Sequence, residues 1–282
     1  MILSGKVVSR RTGEMAGSCP IKGIGRDRFH WWPKGTWYCR HECFDCPGER
    51  AAAGGMRGWL SKLGASSTVI EVSESPPLTI EMVDEYAHNL NDEALAYLAG
   101  RGIIKKTARR YRLGRTAKRL TIPCIWNDRV IGIKKRWLGV PPENYISKYT
   151  MAPGSKGKAI FNFKRLVQRR WRYVLIVEGV LDCILLDQLR IPAVAPFGGG
   201  TVWSEDWTKY FSRVRTPVVV ADWDRKDSGG SSSPGTRFAT SKLKMLGRGL
   251  LVYPPSGHKD IGEAYHAGED LRQWLKVFRD AT

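Results

Sequence analysis

Between Tyr173 and Tyr253 the chain alternates short apolar runs with helix-length runs, and this alternation constrains its fold more than any other feature. Residues 173–177 predict a buried strand, 181–189 a helix, 193–196 a strand and 205–211 a helix. Residues 217–221 then predict a strand, 237–246 a helix and 250–253 a strand. Strands separated by helices imply a parallel sheet with helices on its faces. The Ser/Gly-rich stretch 227–235 reads as a flexible loop within this domain. No internal repeat is present.

Carboxylates collect where those strands end. Glu178 directly follows the run 174–177, with Asp182 one helical turn on. Asp222 and Asp224 follow 218–221, and Asp260 follows 250–253 after a Pro/Gly loop. Ligand sites in open α/β sheets lie beyond the carboxyl ends of the strands. Grouped carboxylates repel one another and call for a cation, and oxygen-only ligands suit Mg²⁺ or Mn²⁺. The competing reading is that each acid caps the helix after it. That would account for Asp182 or Asp260 singly. It accounts poorly for Asp222 and Asp224, which alternate on an extended segment and so share one side.

The segment 174–182, with Glu178-Gly179 after its strand, followed by 218–224 with Asp222-Trp-Asp224, resembles the TOPRIM domain of primases, topoisomerases and some nucleases. Lys259-Asp260-Ile-Gly-Glu263 looks like the third acidic element of primases. The resemblance implies that Asp222, Asp224 and Asp260 bind the divalent metal and that Glu178 helps with metal or proton handling. Gly198-Gly-Gly200 stands where the family has a loop near the nucleotide; glycines there let backbone N–H groups approach phosphate.

Charge points to the partner. The 282 residues hold 46 Lys+Arg against 27 Asp+Glu, a net of +19. Residues 101–172 contain 21 of those cations and only two acids, Asp128 and Glu143, so the rest of the chain is balanced. A basic block beside a neutral remainder is the footprint of a polyanion; the plainer reading is a solvated face. Trp126, Trp137, Tyr111, Tyr145, Tyr149, Phe161 and Phe163 interleave with the cations, which suits single strands with exposed bases. Residues 79–99 predict two short helices broken at Asn91, and 120–133 a β-hairpin turning at Asn127-Asp128. The ordered motifs at 96–103, 112–114, 120–123, 132–137, 148–149 and 160–163 look like the basic subdomain of DnaG-type primases, including those of phages and plasmids. By that resemblance Lys134, Arg136 and Lys148 contact nucleotide or template, and Arg109, Arg110 and Arg112 belong to the same basic surface.

Cys19, Cys39, Cys43 and Cys46 fall in one short stretch, a pattern suited to metal rather than disulfides in a cytosolic protein. Cys19-Pro-Ile-Lys22 and Cys43-Phe-Asp-Cys46 resemble the two knuckles of a primase zinc ribbon, with Lys22 where the first knuckle has a ligand. A closed zinc site needs four ligands. The set expected is Cys19, Cys39, Cys43 and Cys46 for Zn²⁺, with His41 and His30 as substitutes; the alternative is a ribbon without metal held by Trp31, Trp32 and Trp37.

The expected organisation is α/β (α+β overall). A zinc-ribbon-like β module spans 1–50, and a linker with a short helix at 56–63 spans 51–78. A basic mixed α+β subdomain spans 79–170, and a TOPRIM Rossmann-like parallel sheet with helices on both faces spans 171–282. Eleven Trp argue against a disordered chain, and no apolar run is long enough for a membrane span. The function implied is a DNA primase making short RNA primers from NTPs on a single-stranded DNA template. No phosphate loop of the Gly-x-x-x-x-Gly-Lys-Ser/Thr type occurs, so a replicative helicase is expected to act in trans, in the cytoplasm of a bacterial cell and encoded by a phage or plasmid. A TOPRIM nuclease and a non-enzymatic recombination mediator are the alternatives.

Overall fold

The computed structural model describes residues 6–9, 14–21, 29–40, 48–50, 56–63, 77–140, 148–200, 202–223 and 233–280. The chain divides into two compact units, 1–75 and 76–282.

The first unit is one antiparallel sheet. Its strands are β1 (Lys6–Ser9), β2 (Glu14–Gly17), β3 (Phe29–Trp31), β4 (Thr36–Cys39), β5 (Glu49–Arg50) and β6 (Met56–Trp59), in the order β1-β2-β3-β4-β6-β5. Phe29 pairs with Cys39 and Trp31 with Trp37, so period-2 alternation puts these four side chains on one face. They form an apolar cluster with Cys19 and Leu60. The stretch 56–63, expected as a short helix inside a linker, is instead strand β6 followed by a 3-10 turn, Leu60–Leu63. The reason is tertiary. Gly58 lies under the Trp37 indole, where a Cβ would come within 3.0 Å of the ring, and pairing with β4 overrides local helix propensity.

In the second unit, α1 (Ile80–His88) and α2 (Asp92–Ala99) form as two helices because each has its own cap. Thr79 Oγ1 accepts from the Met82 amide at 3.2 Å, and Asn91 Oδ1 from the Ala94 amide at 3.1 Å. A short helix, α3 (Lys105–Arg110), leads into a four-stranded antiparallel sheet. Its strands are β7 (Gly114–Thr116), β8 (Arg119–Trp126), β9 (Arg129–Trp137) and β10 (Tyr149–Met151), in the order β10-β9-β8-β7. Asn127 and Asp128 have φ of 48° and 56°, the two positive values that a tight two-residue hairpin turn requires.

The rest is the expected α/β layer: β11 (Ile160–Phe161), α4 (Lys164–Val167), β12 (Trp171–Ile176), α5 (Val180–Gln188), β13 (Ala193–Pro196), β14 (Val214–Val220), α6 (Pro234–Leu246), β15 (Leu250–Val252), α7 (Ile261–His266) and α8 (Leu271–Asp280). The sheet order is β11-β13-β12-β14-β15, with β12 to β15 parallel and β11 antiparallel on the β13 edge. The expected helix at 205–211 is a 3-10 helix, Glu205–Arg213. Leu175, Val218 and Val220 face α5 and the helices before the hairpin. Val174, Ile176, Val219 and Ala221 face α6 and the 3-10 helix. Covering both faces explains why these strands read as continuous apolar runs. Among the described residues no helix is long and apolar enough to cross a membrane.

Candidate active site

Adjacent parallel strands end together, so the residues after them share one edge. Glu178 lies just beyond β12, Asp222 just beyond β14, and Asp260 at the head of α7 after β15. Asp182 joins them from the first turn of α5. A Cβ on Gly262 would stand 3.3 Å from Asp260 Oδ1 and 3.4 Å from Asp182 Oδ1, which places these two carboxylates side by side. Burial, then the neighbouring Asp260, push the Asp182 carboxyl up to about 7; the Arg101 cation and the Asp182 and Gly262 amides pull the other way. Asp260 also caps α7, its Oδ1 accepting from the Glu263 amide at 2.7 Å. The capping reading therefore holds for one of its oxygens.

Glu178 sits against Gly200, where a Cβ would come within 2.8 Å of Oε1. Gly199 has φ of 105°, so the glycine run serves both a backbone turn and the approach of this carboxylate. Two buried lysines feel the charge of Glu178. Lys134, 7% exposed on β9, is lowered to about 8 by burial, and Glu178 opposes that shift. Its Nζ lies 4.9 Å from the centre of the Tyr149 ring. Lys242, 4% exposed on α6, is likewise lowered by burial and held up by Glu178. Lys242 and Arg101 were not singled out from the sequence. The signal for Lys242 was a lysine on the same helical face as Phe238, Ala239 and Leu246.

Asp224 lies outside the described residues, and among those described no three ligating side chains converge on one point. The donor set at the edge is carboxylate oxygen throughout, and Asp182 and Asp260 carry mutual repulsion that a hard cation would offset. That chemistry fits Mg²⁺ or Mn²⁺.

The cations expected to touch template divide into two groups. Lys134 and Arg136 are at the site, with the Arg136 guanidinium 4.8 Å from the Tyr149 ring centre and 5.3 Å from that of Tyr97. Lys148 and Arg109 are exposed. Arg110 and Arg112 have structural work. Arg110 pairs at 2.8 Å with Asp187, a carboxylate 1% exposed that Arg165 also holds, and Arg112 pairs with Asp84 at 3.3 Å. A buried carboxylate demands such partners, and Arg110 serves Asp187 with its side chain 48% exposed.

In the first unit Cys19 and Cys39 are buried in the same apolar cluster, which suits two thiolate ligands of one zinc. Cys43, Cys46 and His41 lie outside the described residues. His30 alternates onto the face opposite Cys39 and bonds Glu14 Oε1 through Nδ1 at 2.8 Å.

No sequence-family profile and no curated protein matches the chain. Solved structures do. The zinc-binding and RNA polymerase domains of Aquifex aeolicus primase match at 19% identity and TM-score 0.58, over 98% of this chain and 80% of that one. A DnaG primase catalytic domain bound to ssDNA matches at 19% and 0.53, over 71% and 76%. The primase fragment of the bacteriophage T7 primase-helicase matches at 14% and 0.50, over 93% and 98%. The chain thus has the fold of a primase core.

Proposed function

We propose that the protein is a DnaG-type DNA primase, a template-directed nucleotidyltransferase that makes short RNA primers on single-stranded DNA. The observation that carries this reading is the acidic edge of Glu178, Asp182, Asp222 and Asp260 beneath the two cations Lys134 and Arg136 of the basic subdomain, on a primase-core fold. Glu178, Asp222, Asp224 and Asp260 would hold Mg²⁺ or Mn²⁺. When bound, the ion offsets phosphate charge and lowers the pKa of the attacking 3′-hydroxyl. Lys134 and Arg136 orient the triphosphate and stabilise charge as the 3′-oxygen attacks the α-phosphate and pyrophosphate leaves. Burial lowers the proton affinity of Lys134, which equips its ammonium to give up a proton to the leaving pyrophosphate. The acidic edge is the TOPRIM site. The first unit, with zinc on Cys19, Cys39, Cys43 and Cys46, selects the initiation site. A replicative helicase is the partner, and the protein works in the cytoplasm of a bacterial cell as a phage or plasmid product.

Incubation with circular single-stranded DNA, four NTPs and Mg²⁺ tests this. Labelled short RNA is expected. Nicked or shortened DNA would instead mean a nuclease, and bound but unchanged DNA a mediator.

A further inference from the structure

Lys242 is a buried cation on α6 that the chemistry above does not use. A buried ammonium is costly unless something answers its charge. Its Nζ lies 5.1 Å from the centre of the Phe238 ring and 5.5 Å from that of Trp203, both within cation–π range. Phe238 stands one helical turn before Lys242, so the two share a face of α6. Trp203 is braced in turn by Trp207, edge-on at 5.1 Å, and by Phe211 at 6.0 Å. Rings fixed in this way hold the ammonium in one place.

The same Phe238 ring borders Glu178. A Cβ on Gly200 would stand 2.8 Å from Glu178 Oε1 and 3.1 Å from Phe238 Cδ2, so carboxylate and ring meet across that glycine. Glu178 accordingly favours the charged form of Lys242 against the effect of burial. The helix is itself registered on the acidic edge. Gly235, in its first turn, lies so close to the Asp222 carbonyl that a Cβ would come within 2.2 Å of the oxygen. Lys242 is two turns further on, and helical side chains lean toward the N-terminus, so its stem reaches back to the edge. A second ammonium, Lys134 on β9, also acts on Glu178. The carboxylates of the edge therefore differ: Asp182 has Asp260 beside it, whereas Glu178 has two lysines.

We propose that Lys242 is a positioning residue, a fixed counter-cation that holds Glu178 in place and ionised before metal arrives, and that weakens the grip of the acidic edge on the ion. The proposal rests on the primase reading only in assigning Glu178 to the chemistry. A cation beside a metal site repels the metal, so Lys242 gives up metal affinity in return for a set geometry. Removal of a residue that merely filled the core would instead weaken metal binding and catalysis together.

That difference in sign is the test. Lys242→Met keeps an unbranched apolar stem and removes the charge. Mn²⁺ binding to the full chain, read by electron paramagnetic resonance without nucleotide, should tighten about fivefold, the scale of one unit charge on a nearby divalent ion under near-aqueous screening. Primer synthesis at saturating Mg²⁺ should fall about tenfold through kcat, with the KM for NTP unchanged, because a displaced group costs rate. Lys242→Arg restores a cation and should return Mn²⁺ affinity to about the wild-type value. Far-UV circular dichroism should be unaltered; if Lys242→Met does not fold, Lys242→Gln carries the same expectations. Unchanged or weaker Mn²⁺ binding in the charge-free variant would overturn the proposal. So would a marked rise in the KM for NTP, which would make Lys242 a grip on the triphosphate. If the wild type makes no RNA, the primase reading falls, and the shift in Mn²⁺ affinity alone still decides the role of Lys242.

Discussion

Asp182→Asn probes the acidic edge without touching a residue assigned to metal. Burial and Asp260 hold the Asp182 carboxyl up to about 7, against 3.8 for a free side chain. The folded state therefore binds this proton more tightly than the unfolded chain does. Stability is full below about pH 4 and is lost as pH rises through the window from 3.8 to about 7. Taken at face value, the loss between pH 5 and pH 8 is about 2 to 3 kcal/mol. Partial exposure of the side chain, together with relaxation, reduces this to about 1 to 2 kcal/mol. The Asn side chain keeps one accepting oxygen and gives up the other, at a cost of about 1 kcal/mol. Thermal denaturation in chelator should then show the variant slightly less stable at pH 5 and level with or above wild type at pH 8. Divalent cation should stabilise wild type more at pH 8 than at pH 5, by about 1.4 kcal/mol at ten times its Kd, and the variant less. Parallel stability curves for the two proteins from pH 5 to pH 8 would refute the claim that burial and Asp260 raise the Asp182 carboxyl.

Arg110→Ala should cost about 2 kcal/mol in urea unfolding, since it strips one partner from buried Asp187 while Arg165 remains. Arg109→Ala should leave stability unchanged and lower the salt slope of single-strand binding by roughly 0.7. Gly200→Ala places a methyl within 2.8 Å of Glu178 Oε1, so primer synthesis should drop at least tenfold in a protein whose circular dichroism is unaltered. Metal analysis of protein purified without chelator should find one zinc per chain, lost in Cys39→Ser and in Cys43→Ser. Both variants should lose template-dependent initiation more than extension of a preformed primer.

The α/β layer was legible because its strands are buried on both faces, α5 is an apolar run of helical length and α6 is amphipathic, so local pattern and tertiary environment agree. The break between α1 and α2 was legible through Asn91, a cap, and the hairpin through Asn127-Asp128. What local pattern missed depended on distant partners. Strand β6 exists because β4 pairs with it and the Trp37 ring covers Gly58. β11 joins the sheet as an antiparallel edge although it closes the basic subdomain. The carboxylates at strand ends were readable from position alone, whereas Lys242 reaches Glu178 only through the packing of α6. The role of Arg110 was hidden because Asp187, its partner, is 77 residues away.

The most direct test of the central claim is primer synthesis by Asp222→Asn combined with Asp224→Asn, measured beside single-stranded DNA affinity in the same preparation. Synthesis should fall to background while affinity stays within a few fold, because the double change removes charge from the acidic edge and leaves the basic subdomain intact. Labelled primers made by that double variant at near the wild-type rate would contradict the account.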